Sequence, residues 1–466
     1  MKPVKKLFFP FILICLLFAC KKESFTSSPS AILTTTADTL HFDTVFTSVG
    51  SVSQVFKIIN DNDRGIRINS VRLGGGSASP FRINIDGTPG PRVEGLSVGA
   101  NDSLYVFVTV TINPTAANLD FVVRDSIEIS YNGNTRWVQL DAYGRNAVFL
   151  RDAVVSGTET WNNDQPYVIL GGLTVDTNAA LSITKGTKIY LHGNAPFIVH
   201  GSLQVQGEKW DSTRVVFAGD RLDLPYRDYP GSYPGIIFSD VSHNNQISFA
   251  LIKNAYQGIV VNGPSTGTKL VLSETIIDNA YDAGIIGLNT SLAARNLLVS
   301  NCGKGIVLAL GGQYNFTHCT VAAFSNNFIQ HREPALLVSN FLTQNGQPVA
   351  NSLNAVFRNC IFWGEQNGLV ESEVAVLRQG TTPFAVNFDQ VLWRVPANPS
   401  NATVAGAINQ SPPLFDSLNN GSRYYNFRLK ENSPALNKGG ATGLVIDLDG
   451  APRPVGLPDL GAYERQ

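Results

Sequence analysis

From residue 31 onward the chain is written in short runs of alternating apolar and polar positions. Residues 52–60, 104–112, 127–131 and 137–142 show the period-two pattern of half-buried strands. Asn132-Gly133 lies between the last two and is a strong signal for a two-residue hairpin turn. Short strands at this spacing, without a helical period, predict a β-sandwich over residues 31–145. That span contains no cysteine, which excludes a disulfide-stapled antibody-type domain.

Residues 146–466 repeat. Ala250-Leu251-Ile252-Lys253-Asn254, Thr275-Ile276-Ile277-Asp278-Asn279 and Leu297-Leu298-Val299-Ser300-Asn301 share one pattern, which Cys319-Thr320-Val321 and Cys360-Ile361-Phe362 continue. The starts are 25, 22, 22 and 41 residues apart, and Gly258-Ile259, Gly284-Ile285 and Gly305-Ile306 follow the first three. Short β-runs at this period predict a right-handed parallel β-helix with three strands to the coil. Coils stack at the interstrand spacing of about 4.8 Å, so equivalent residues form columns. Positions 250, 275, 297, 319 and 360, with 252, 277, 299, 321 and 362, are small or apolar and are expected to point inward. Asn254, Asn279 and Asn301 form the expected turn ladder. Asparagine tolerates the left-handed conformation, and its amide can bond the coils above and below. The expected fold class is all-β: an N-terminal β-sandwich, then a right-handed parallel β-helix.

Several motifs carry family resemblances. Residues 42–50 with Ser79-Pro80-Phe81 resemble the immunoglobulin-like modules of the abnormal-spindle and hydin type, which implies a spacer or interaction module. The Gly-punctuated runs at 172–175, 181–183, 186–190 and 197–205 resemble the opening coils of pectate-lyase-like proteins. Ser433-Pro434-Ala435-Leu436, Asp447-Leu448-Asp449-Gly450, Arg453-Pro454 and residues 459–464 resemble the closing segment of choice-of-anchor Q proteins. That superfamily hosts lyases, hydrolases, esterases and adhesins, so the resemblance implies a scaffold and leaves the activity open.

The N-terminus reads as an address. Lys2, Lys5 and Lys6 precede an apolar run over residues 7–18, too short to span a membrane comfortably. Leu17-Phe18-Ala19-Cys20 resembles the lipobox of bacterial lipoproteins, which implies cleavage after residue 19 and a multiply acylated Cys20. Residues 21–30 read as a tether. Lys21 stands where an inner-membrane retention signal would have Asp, so the expected place is the outer membrane, on the cell surface or on its periplasmic side. The membrane, through this anchor, is one expected partner.

Composition narrows the function. Charged residues make up 15% of the 466 and the net charge is −1, which argues against nucleic acid as a partner. No cofactor is implied, the six histidines show no metal-ligand spacing, and a monomer is expected. Glu274, Asp278, Asp282, Lys253, Arg295 and Lys304 read as scattered turn residues rather than as a calcium-lyase cluster. Cys319 and Cys360 share the inward column as small apolar residues, with a disulfide as the alternative. Asp447-Leu448-Asp449-Gly450 reads as a capped turn.

The candidate ligand patch is the excursion over residues 218–235. It holds Asp220, Arg221, Asp223, Tyr226, Arg227, Asp228, Tyr229 and Tyr233, with Asp240 just beyond it. Aromatic faces next to carboxylates and guanidiniums suit a sugar, while a loop packed on the helix flank accounts for the same residues. No nucleophile elbow, phosphate loop or dinucleotide motif stands out. The expected function is a non-catalytic surface lipoprotein that binds glycan or another partner. The alternative is a polysaccharide-degrading enzyme, a lyase or glycoside hydrolase, on the same scaffold.

Overall fold

The computed structural model describes residues 24–46, 51–112, 121–422 and 424–466. The expected signal segment with Cys20, the start of the expected tether and residues 47–50 of the first motif lie outside the described residues. The chain divides into two compact units between Asn146 and Ala147.

The N-terminal unit is two sheets closed over one core. Strands Thr39–Phe46, Gly65–Leu73, Phe121–Tyr131 and Asn134–Arg145 belong to one sheet, and Gln54–Asn60, Phe81–Ile85 and Asp102–Val110 to the other. Alternate residues of both sheets, such as Phe56, Ile58, Val106, Val108, Ile127 and Ile129, are buried in the shared cluster. Asn132 and Gly133 take φ of 44° and 79° between strands paired from Tyr131↔Asn134 outward, as a two-residue hairpin requires.

The C-terminal unit is a parallel β-helix. Its first sheet runs through Lys188–Leu191, Val215–Gly219, Ala250–Lys253, Ile276–Asp278, Leu298–Ser300, Thr320–Ala323 and Ile361–Gly364. The register stacks Phe217, Ile252, Ile277, Val299, Val321, Phe362 and Trp393 in one column, each at most 1% exposed. The second sheet includes Phe197–Val199, Ile236–Phe238 and Gln257–Asn262, and the third Ser202–Gln206, Asn245–Ser248 and Leu270–Ser273. The long strands Ala283–Arg295 and Lys304–Thr317 each supply both of these sheets.

Two details explain the repeat. A Cβ on Gly258 would come 2.7 Å from the Ile277 side chain, and one on Gly305 2.5 Å from Val321, so the Gly of each Gly-Ile pair makes room for the interior column. The 41-residue spacing between Cys319 and Cys360 is one coil, since Thr320 pairs directly with Ile361. Its extra length includes the hairpin Phe341–Gln344 and Gln347–Ala350. Cys319 and Cys360 are buried free thiols, not a disulfide.

The closing segment covers the outer face of the first sheet. Ala435, Leu448, Leu460, Ala462 and Tyr463 pack with Leu298, Ala322, Ile361 and Trp363, and with Phe415, Phe427 and Leu429 of a hairpin, in a separate apolar cluster. Asp447 is the capped turn: its carboxylate accepts the amides of Asp449, Ala451 and Glu464, each at 2.9 Å. Arg453 enters beneath it, donating Nε to Glu464 at 2.9 Å and Nη1 to Asn296 Oδ1 at 2.8 Å.

Candidate functional site

The first two sheets meet at the corner turned by Asn254, Asn279 and Asn301, whose φ angles are 64°, 57° and 53°. Asn279 donates Nδ2 to Asn254 Oδ1 at 2.8 Å, which joins successive coils. The amides also hold the 218–235 excursion: Asn254 Nδ2 donates to the Arg227 carbonyl at 2.7 Å and Asn279 Nδ2 to that of Asp228 at 3.1 Å. A left-handed turn on one coil thus fixes the backbone of a loop from another.

The loop's candidate residues separate into three groups. Tyr233 is fully buried in the main core, and burial pushes its hydroxyl pKa well up; it is a packing residue, which corrects its place among the ligand contacts. Arg221 forms a two-pronged pair with Asp223 at 2.8 and 3.0 Å, and its guanidinium lies 3.9 Å from the Tyr226 ring centroid. Tyr226 and Tyr229 pack at 5.2 Å, Tyr229 meets Phe328 at 4.7 Å, and Arg227 Nε stands 3.9 Å from the Asp228 carboxylate. Tyr226 remains 42% exposed.

Beside this cluster lie Tyr256 and Tyr281, which sequence reasoning passed over. They are 47% and 52% exposed, stand on successive coils, and stack with centroids 5.7 Å apart and planes 26° apart. Both rings border Gly231 of the loop. Their spacing of 25 residues equals that of Ala250 and Thr275, so the repeat itself held the signal.

The loop and the corner enclose a small polar cavity of about 170 Å³ lined by Asp228, Lys253, Asp278, the three asparagines, Asn326, Ser422 and Tyr425. Burial raises the Asp278 carboxyl pKa, against the opposing hydrogen bonds from Ser300 at 2.6 Å and Asn301 at 3.2 Å. Asn301 Oδ1 is buried without a hydrogen-bond partner.

The ionisable residues of the repeats are not scattered. Lys253 stands in register with Asp278, Lys304 donates to Asp282 at 2.8 Å, and Arg295 lies 3.5 Å from Glu274. Linear sequence hid these pairs because each spans one coil. A second corner was also missed, where Phe249, Glu274, Asn296, His318, Asn359 and Gln390 all take positive φ. Their mixed identities concealed the ladder; His318 is buried there with its pKa lowered to about 3 by desolvation and Arg453.

The outer faces differ in chemistry. The second sheet presents the aliphatic row Ile198, Ile237, Val260, Ile286, Val307, Leu337 and Ala375. Among the described residues no group of three or more His, Cys, Asp or Glu is placed to hold a metal, and no helix is long and apolar enough to cross a membrane.

Neither protein-family models nor curated proteins match the chain. Among solved structures it is similar to a family 123 glycoside hydrolase from Clostridium perfringens, described in work on glycolipid glycan hydrolysis, at 10% identity over 24% of this chain and 25% of that one, TM-score 0.19. It thus spans about a quarter of that enzyme. It is similar to an ASH/PapD-like domain of human CEP192 at 11% identity, covering 31% of this chain and 96% of that one, TM-score 0.17. The catalytic unit of a GH87 α-1,3-glucanase from Streptomyces thermodiastaticus strain HF3-3 aligns at 11% identity over 80% of this chain and 91% of that one, TM-score 0.25. Scores this low carry no argument about the site, and the β-helix stands on its own strand register.

Proposed function

We propose that the protein is a lipid-anchored, surface-exposed glycan-binding protein whose β-helix holds saccharide at the corner between its first two sheets, with the sandwich as spacer. The observation that carries this reading is the exposed stack of Tyr256 and Tyr281, which borders Gly231 of the same loop whose Asp228 lines the amide-rich cavity. Flat apolar faces bind the C–H faces of sugar rings, and neighbouring amides and carboxylates bind hydroxyls. The stacked tyrosines supply area at little entropic cost because they are held on adjacent coils.

A hydrolase is the second reading, favoured by one feature. Asp228 and Asp278 line the same cavity, and the raised pKa of Asp278 is the property a general acid needs. The two glycoside hydrolases among the similar structures accord with this alternative, without adding weight at their scores.

A glycan array paired with reducing-end release on the same polysaccharides tests both. Binding without release supports the first reading. Release that disappears in Asp278→Asn while binding persists supports the second. No binding to any polysaccharide overturns both.

A further inference from the structure

The outer face of the third sheet is built differently from the other two. Register places Ser291, Gln313 and Asn354 in one outward row, and Ala293, Asn315 and Val356 in the next. Two cavities lie end to end on this face, of about 630 Å³ and about 430 Å³. Both border the strands Lys304–Thr317 and Leu353–Arg358. The closing segment walls the smaller one with Thr442 and Leu444. From Gln313 to Thr317 the floor extends about 13 Å at the rise of a β-strand. Each volume lies within the range of pockets that hold small ligands.

We infer that this face is a second binding site, which takes an extended hydroxyl-rich chain, a polysaccharide strand laid across the third sheet. Gln313, Asn315 and Asn354 are exposed, and each amide can donate and accept, as a chain of hydroxyls requires. A polyanion fits less well, because the two arginines lining the smaller cavity have acidic neighbours: Arg358 meets Asp389 at 3.0 Å and Arg295 meets Glu274 at 3.5 Å. A protein partner would find little of the contiguous apolar centre that interfaces use.

The inference rests on the glycan-binding reading and adds a site to it. Two sites on one rigid body make affinity rise with chain length, since a bound chain meets the second site at high effective concentration. The test uses the full chain with neutral glucans, xylan and galacturonan, each as polymer and as a disaccharide. Asn315→Trp fills the floor, and Gln313→Ala with Asn315→Ala removes the amides without adding bulk. Both variants are expected to weaken retention of the polymer by about tenfold or more and to leave disaccharide binding at the Tyr256–Tyr281 corner unchanged. Polymer retention equal to wild type in both, with unchanged melting, overturns the second site; retention lost only in Tyr256→Ala with Tyr281→Ala then leaves the corner as the sole site. If the wild-type chain retains no polysaccharide, the glycan-binding reading falls together with the inference.

Discussion

Val299→Asp probes the interior column directly. Val299 is fully buried between Ile277 and Val321, and aliphatic side chains surround it in the main core. Removing the valine forfeits roughly 1.5–3 kcal/mol of burial. The new carboxyl must also be neutralised, and a shift of about three pH units above its unfolded value adds about 4 kcal/mol at neutral pH. The sum, about 6 kcal/mol, is comparable to the whole stability of an ordinary domain, roughly 5–15 kcal/mol. The pH dependence has a definite sign. Because the folded pKa is raised, the ionisation part of the penalty is absent below the unfolded pKa of about 3.9 and grows by about 1.4 kcal/mol per pH unit above it. Urea unfolding followed by tryptophan fluorescence, at acid and neutral pH, measures both parts. Asn315→Asp, at an exposed outward position, serves as the control and is expected to change stability by no more than about 0.5 kcal/mol. An unchanged midpoint for Val299→Asp, or a larger loss in acid than at neutrality, refutes the reasoning.

Three further outcomes are expected. Cys20→Ser is expected to abolish acyl labelling and detergent-phase partitioning; a variant that still labels and partitions places the anchor elsewhere. Glu464→Gln leaves the Arg453 guanidinium buried without its ion-pair partner, and thermal unfolding is expected to show a loss of about 3–5 kcal/mol; a change below about 1 kcal/mol contradicts a stabilising role for the closing segment's buried pair. Tyr226→Ala with Tyr229→Ala is expected to weaken glycan binding by roughly 1–2 kcal/mol in calorimetry; unchanged affinity with intact folding reduces the 218–235 loop to packing.

The helix was legible where the physics is periodic. Positions 252, 277, 299, 321 and 362 had to be apolar on every coil, so a 22-residue rhythm survives in the sequence. The asparagine corner was legible for a similar reason, because the left-handed turn restricts the residue types that fit comfortably. The second corner was not, since Phe249, Glu274 and His318 adopt the same φ under the constraint of their neighbours. Tyr233 was misplaced because position in a loop does not report burial: its backbone bridges Ala255 and its ring enters the core. The ion pairs and the third-sheet face depend on register, and 21 to 41 residues of chain separate the groups that register brings together.

The central claim, that exposed aromatics at the asparagine corner hold saccharide, is tested most directly by calorimetry. Wild type and the double variant Tyr256→Ala with Tyr281→Ala would be titrated with the polysaccharide that the array returns. Losing the stacked pair is expected to weaken binding by about tenfold or more, 1.4 kcal/mol being a factor of ten, with the melting temperature preserved because both rings are about half exposed. Equal affinity in the two proteins, with the variant fully folded, would contradict the account.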